Sequence, residues 1–252
     1  PDTVAMIGKT TQDPYGLWKL PLETLRKTGV NTNYVKVVKS KEFPGVALIA
    51  VDTKGQNQIY VLPGISNRFS PRDITKAVPL FKTIAKQNGS LVFSLEMPLP
   101  TAVAATKIAN KLGIQVLVDP GGMTEETNYK SLLKQKLFLI KPNEHEAKLL
   151  TGISVKNIAS AKRAAKKLLG YSIENVFITL GKQGGVFANN KQVIHIPIPK
   201  VKKTQHTNET GCGDQTMAGI VATLAERKDI IDAVHIGLIA GTLQFYKPGL
   251  TP

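Results

Sequence analysis

The sequence predicts an α/β protein: a three-layer, doubly wound, mostly parallel sheet with a small antiparallel β lid. Three observations carry this. From residue 90 onward, short apolar runs alternate with segments of helical periodicity, the pattern of a parallel sheet covered by helices on both faces. Between residues 35 and 62 that rhythm breaks into strand-like runs and a turn signal. The chain has 252 residues, 42% of them hydrophobic, which is enough for one large core or two modest ones. The whole span 1–252 reads as one such domain, with the lid strands of 35–62 inserted in it.

Each element has its own warrant. Residues 3–7 are strand-like. The runs 34–38, 45–51 and 58–62 form the expected antiparallel sheet, with Asp52-Thr53-Lys54-Gly55 as a hairpin turn. Ser90-Leu91-Val92-Phe93-Ser94 reads as a buried strand. Residues 101–112 place Ala, Val and Ile at helical spacing, and Gly113 closes that helix. Strands follow at 114–118, 137–140 and 176–179, and a short helix at 129–136. Asn143 opens a helix ending at Gly152, and 158–169 is amphipathic. A second hairpin joins 184–188 to 192–196 through Asn189-Asn190-Lys191, and a last helical pattern runs from 215 to 226.

Composition excludes several classes. No apolar stretch approaches the roughly 20 residues of a spanning helix, so no membrane partner is expected. The single cysteine, Cys212, excludes a disulfide framework and a multi-cysteine zinc site. With no leader recognisable, the expected location is the cytoplasm, or an organelle interior. The chain starts at Pro1 rather than methionine, as a fragment or processed product would. Its net charge of +15 invites a nucleic-acid reading, but the lysines are spread along the chain and no nucleic-acid motif accompanies them. The expectation is therefore a solvated lysine-rich surface, not a nucleic-acid partner.

The richest segment is Asn208-Glu209-Thr210-Gly211-Cys212-Gly213-Asp214, running into the helix at 215. Small residues there let consecutive N–H groups point outward at a helix start, an arrangement that attracts anions. A carboxylate beside such a nest repels phosphate unless it acts, for example by taking a proton from an acceptor hydroxyl. The plainer alternative is a glycine-rich turn with Asp214 as a helix cap. Other signatures fail. Gly8-Lys9-Thr10 lacks the first glycine of a P-loop, His145-Glu146 lacks a second histidine, and His195, His206 and His235 are scattered.

With Lys141-Pro142-Asn143-Glu144-His145-Glu146 and Thr179-Leu180-Gly181-Lys182-Gln183-Gly184, these residues form an ordered set. The chain resembles the ribokinase-like (PfkB) carbohydrate kinase family, and its ribokinase branch most closely. Gly211-Cys212-Gly213-Asp214 is similar to the family's C-terminal signature, Asn143 and Glu146 to its Asn-x-x-Glu segment, 179–184 to its nucleotide strand and turn, 45–57 to its lid, and Leu95-Glu96-Met97-Pro98 to a ribokinase stretch. The resemblance implies an ATP-dependent kinase of a primary sugar hydroxyl, with ribose to ribose 5-phosphate the first choice and a nucleoside such as adenosine or pseudouridine the nearest alternative. It implies Asp214 as general base and the amides of Gly211, Cys212 and Gly213 as an anion hole. Asn143 and Glu146 would hold the Mg²⁺ network through water, although their spacing is also that of a capping box. Thr179, Gly181 and Gly184 would lie along the nucleotide, Glu96 near the sugar, and 240–249 beside the adenine. The lid strands mediate dimers in some relatives, so a homodimer is an expectation too.

Departures from the pattern qualify this. Asn208 and Glu209 stand where the family has Asp and Thr, which puts a K⁺ site at Asn208 and Thr210 in doubt. Cys212 replaces an alanine, and a thiol at a helix start invites a lowered pKa. Asp119-Pro120-Gly121-Gly122 replaces an Asn-Pro-Ala-Pro. The family's first strand and its sugar-gripping helix start have no counterpart, so this stretch of chain is expected to be weak or inactive on sugar. A noncatalytic, nucleotide-binding partner protein is the rival reading.

Overall fold

The computed structural model describes residues 4–52, 57–201 and 207–247. The turn expected at 52–55, His206 and the end of the adenine-flanking segment 240–249 lie wholly or partly outside those residues.

The core is a six-stranded sheet in the order β10-β9-β8-β7-β6-β5. Its strands are β5 (Ser90–Ser94), β6 (Gln115–Asp119), β7 (Leu137–Ile140), β8 (Ile173–Thr179), β9 (Gly185–Asn189) and β10 (Val193–Ile196). Strands β5 to β8 are parallel, while β8, β9 and β10 pair antiparallel through the expected hairpin. The pleat sends successive side chains to opposite faces. Val116, Val118, Ile140, Val176 and Ile178 enter one buried cluster, with α2 (Pro71–Thr75), α3 (Val78–Lys86), α4 (Leu99–Lys111), α5 (Lys130–Leu133), α6 (Glu144–Thr151) and α7 (Ile158–Leu169). The alternate residues Leu117, Leu139, Phe177 and Phe187 enter a second cluster with α8 (Cys212–Ala225) and α9 (Ile230–Phe245). Helices therefore cover both faces, as a continuous apolar strand requires.

Local chemistry sets the helix ends. Asn143 and Asn157 cap α6 and α7 through reciprocal capping boxes, each satisfying otherwise orphaned N–H groups. Helices α8 and α9 meet along Gly219, Gly237 and Gly241, where a Cβ on any of the three would collide with the facing helix.

Ahead of the sheet, β1 (Ala5–Gln12), α1 (Lys19–Lys27) and β2 (Asn31–Lys39) form a β-α-β unit with β1 and β2 parallel. This corrects the expectation that 34–38 joins an antiparallel lid. The crossover through α1 is long enough to bring β2 back in the same direction, which a tight turn cannot do. Gly8-Lys9-Thr10 lies inside β1, so it forms no phosphate loop. Of the three runs expected in the lid, two pair antiparallel, β3 (Val46–Val51) and β4 (Asn57–Leu62), as a separate two-stranded ribbon. Every residue of β3 is exposed. The β1–β2 pair is tied to the rest through Asp73, whose carboxylate accepts from Lys36 at 2.9 Å and Lys9 at 3.4 Å. Among the described residues no helix is long and apolar enough to cross a membrane.

Candidate active site

The predicted residues converge at the C-terminal ends of the parallel strands. That is where open α/β sheets place ligands, because the loops leaving the strands there splay apart. Glu96 follows β5, Asp119 ends β6, Lys141 and Asn143 follow β7, and Thr179 ends β8. The Thr179 amide donates to the Pro142 carbonyl at 3.0 Å, which holds the end of β8 against the Asn143 segment.

Helix α8 aims its N-terminus at the same place. Gly211 caps it at φ +78°, a left-handed conformation that costs a glycine little, and no side chain caps the helix. The helix starts at Cys212 rather than near 215, because this glycine turns the chain early enough for Cys212, Gly213 and Asp214 to form the first turn. Asp214 is therefore not the cap. The amides of Gly213 and Asp214 lack intrahelical acceptors by position, whereas that of Cys212 donates to the Glu209 carbonyl at 3.3 Å. Of the three amides expected to form an anion hole, only that of Cys212 has a backbone partner of this kind.

Sequence reasoning missed one pair. Lys141, 3% exposed, donates to Asp119 at 2.8 Å. A Cβ placed on Gly213 would sit 3.6 Å from the Lys141 ammonium and 4.0 Å from Asp119 Oδ2. A buried cation is therefore lodged against the start of α8. The loop 119–122 also touches Glu96, since a Cβ on Gly122 would lie 2.8 Å from the Glu96 amide nitrogen. The clue in the sequence was that Asp119 breaks the expected Asn-Pro-Ala-Pro, but nothing in the sequence links it to a lysine 22 positions on.

Four carboxylates share this cleft, and their mutual influence is visible. Partial desolvation raises the pKa of Asp214, Asp119 raises it further, and Lys141 opposes both. Glu96 is raised by desolvation and then by Asp214 and Asp119, against a hydrogen bond from Ser94. Burial raises Glu146, and the Asn143 amide opposes it. Cys212 departs from expectation: burial pushes its thiol up to about 11, helped by Glu209 and Asp214, so a reactive thiolate is not supported.

Asn143 and Glu146 form the capping box. The Asn143 amide donates to Glu146 Oε2 at 2.9 Å and its side chain to Oε1 at 3.0 Å, while Glu146 N–H donates to Asn143 Oδ1 at 2.9 Å. Each carboxylate oxygen keeps a further lone pair, so it can accept a hydrogen bond from the water of a hydrated cation. Among the described residues no three His, Cys, Asp or Glu side chains are close enough to grip a metal together. Gly181 and Gly184 bracket a 3₁₀ turn after β8, pinned where His195 bonds the Gln183 carbonyl at 2.7 Å. Asn208 uses its Oδ1 to accept from the Thr210 amide at 2.9 Å, so it is engaged in a local turn.

The sequence matches the pfkB family of carbohydrate kinases over residues 2–252. It is 34% identical over 230 residues to a ribokinase of Staphylococcus aureus, covering 90% of this chain and 72% of that protein. It is 30% identical over 193 residues to a deoxyribokinase of Salmonella typhi, covering 77% of this chain and 60% of that one. The fold superposes on Arabidopsis thaliana ribokinase complexed with ribose and ATP with a TM-score of 0.83 at 24% identity, covering 98% of this chain and 77% of that one.

Proposed function

Because the chain belongs to the pfkB family of carbohydrate kinases, ATP-dependent phosphotransferases with an alcohol as acceptor, we propose that it phosphorylates a primary hydroxyl of a small sugar, ribose before all others. The observation that carries this is the start of α8: uncapped amides, a glycine cap, and Asp214 in the first turn beside a buried ammonium. Relatives named ribokinase and deoxyribokinase support a pentose acceptor.

Asp214 takes the proton of the attacking hydroxyl, and its raised pKa strengthens it as a base. The free amides of α8 stabilise the negative oxygens of the phosphoryl group in transfer, because they are already oriented before reaction. Lys141 adds a positive charge beside them and offsets Asp119. Thr179 and the turn at Gly181 and Gly184 lie along ATP, and Glu96 orients the sugar. Asn143 and Glu146 would hold Mg²⁺ through water, and when bound the ion supplies charge neutralisation for the phosphates. Asn208 and Thr210 remain the place for a monovalent ion, with the Asn208 side-chain oxygen shared with a backbone amide. A cytoplasmic location and a homodimer through the exposed β3–β4 ribbon complete the proposal.

The test is ATP turnover by the longest natural form of the protein, with ribose, 2-deoxyribose and adenosine offered separately; the 252-residue chain alone should be weak or inactive on sugar. Ribose should be the best acceptor, and Asp214→Asn should lower turnover about 10²–10⁴-fold with ATP affinity unchanged. Undiminished turnover in that variant removes Asp214 as the base, and a preference for adenosine removes the sugar assignment.

A further inference from the structure

One helical layer of the fold holds a third of the chain's Lys and Arg. Helices α2 to α7, all on one face of the sheet, carry eleven Lys and Arg against three Asp and Glu. Helices α8 and α9, on the other face, carry no Lys or Arg and two Asp. The sheet therefore separates a basic layer from a faintly acidic one.

The basic layer also sets like charges side by side, even though Lys86, Lys111, Lys166 and Lys167 gain from lying in the last turns of their helices. Lys82 and Lys86 on α3, Lys107 and Lys111 on α4, and Lys162 with Lys166 and Arg163 with Lys167 on α7 are like charges four residues apart. That spacing puts each pair side by side on its helix, where like charges cost about 0.2–0.5 kcal/mol per pair. Lys82, Lys86, Lys107, Lys111, Arg163 and Lys166 are all exposed, and none is in an ion pair among the described residues. A polyanion laid across these helices would relieve that repulsion at every pair.

The same face lacks what a membrane would need. None of the exposed large hydrophobic side chains belongs to α2–α7, and interfacial binding requires an apolar face to enter the lipid. Nor is there an exposed aromatic there on which a base could stack. We propose that the α3–α4–α7 face docks the phosphate backbone of a nucleic acid, without reading its sequence. The contact would be electrostatic, driven by release of counterions. It would leave the cleft free, because that lies at the strand ends.

The experiment measures binding of a labelled duplex of about 20 base pairs, and of a single strand of equal length, across a salt series from about 25 to 300 mM. The wild-type chain should bind the duplex with log K falling linearly in log salt. Replacing Lys107, Lys111, Arg163 and Lys166 together by Gln should weaken binding at least tenfold at about 50 mM salt and flatten the slope by roughly one unit per residue that contacts phosphate. These side chains are exposed, so an unchanged circular dichroism spectrum and melting temperature show that folding is intact. Arg227→Gln with Lys228→Gln, just after α8, should change neither. Absence of duplex and single-strand binding at about 50 mM salt overturns the proposal. So does equal binding by the fourfold variant, or loss on the Arg227/Lys228 pair instead. Tighter binding to phosphatidylserine vesicles than to either oligonucleotide would transfer the face to a membrane and equally overturn it.

Discussion

Replacing Lys141 with methionine tests the pairing at the centre of the cleft. Its ammonium lies 2.8 Å from Asp119, and the two side chains are 4% and 16% exposed. At that separation the attraction is about 6 kcal/mol with an effective dielectric of 20, much of it offset by the cost of dehydrating both ions. Removing one member leaves the other charge buried without compensation, a loss of about 3–5 kcal/mol. For a domain of this length that is a fall in Tm on the order of 10 °C. Asp119→Asn with Lys141→Met removes both charges and should restore most of the loss, so the two substitutions should be strongly non-additive. Urea unfolding of the wild type, both singles and the double gives the coupling directly. The reasoning fails if Lys141→Met costs less than about 1 kcal/mol, or if the two singles simply add. A second readout is independent of stability. Lys141 holds the pKa values of Asp214 and Glu146 down, so in Lys141→Met the acid limb of the pH–rate profile should move to higher pH.

Further outcomes follow from the same geometry. Because the folded pKa of Asp214 is raised, its contribution to stability is present below the unfolded pKa and is lost as pH rises through the folded one; Asp214→Asn should therefore melt at or above the wild-type temperature at pH 7 while losing activity, and a lower Tm would refute this. Asp73 behaves oppositely. Burial would raise its pKa, but Lys36, Ser70 and Lys9 together depress it strongly, so its stabilisation is present above the unfolded pKa of about 4 and is lost as the solution is acidified. Asp73→Asn should destabilise at neutral pH and show a shallower loss of stability in acid titration. Gly237→Ala would place a Cβ 2.5 Å from the Thr216 carbonyl oxygen and from Ile220 Cγ1. It should cost about 1–3 kcal/mol in thermal unfolding and weaken ATP binding by displacing the start of α8.

Where chemistry is local, the sequence shows it plainly. Asn143 with Glu146 announces its helix because a cap and its partner lie within one turn. The apolar runs at 90–94 and 137–140 coincide with β5 and β7. What failed were questions of partnership. A β-branched run such as that in β2 states that a strand forms, but not which neighbour it meets or in which direction. Asp119 and Lys141 each look like an exposed loop residue until two adjacent strand ends bring them together. The start of α8 was misplaced because a glycine in the left-handed region serves as well as a side-chain cap and carries no side chain to signal it.

The two-stranded β3–β4 ribbon has a consequence for the protein as a colloid. Leu48, Tyr60, Val61 and Leu62 are each more than half exposed, so two molecules meeting at their ribbons gain hydrophobic contact in almost any orientation. What opposes that encounter is the net charge of +15, which keeps the particles apart over a distance of about 8 Å at physiological ionic strength and about 3 Å at 1 M salt. Added salt should therefore shift the suspension from repulsive to adhesive. The second virial coefficient measured by light scattering should change sign with salt, and it should do so at higher salt once Leu48 and Tyr60 are made polar.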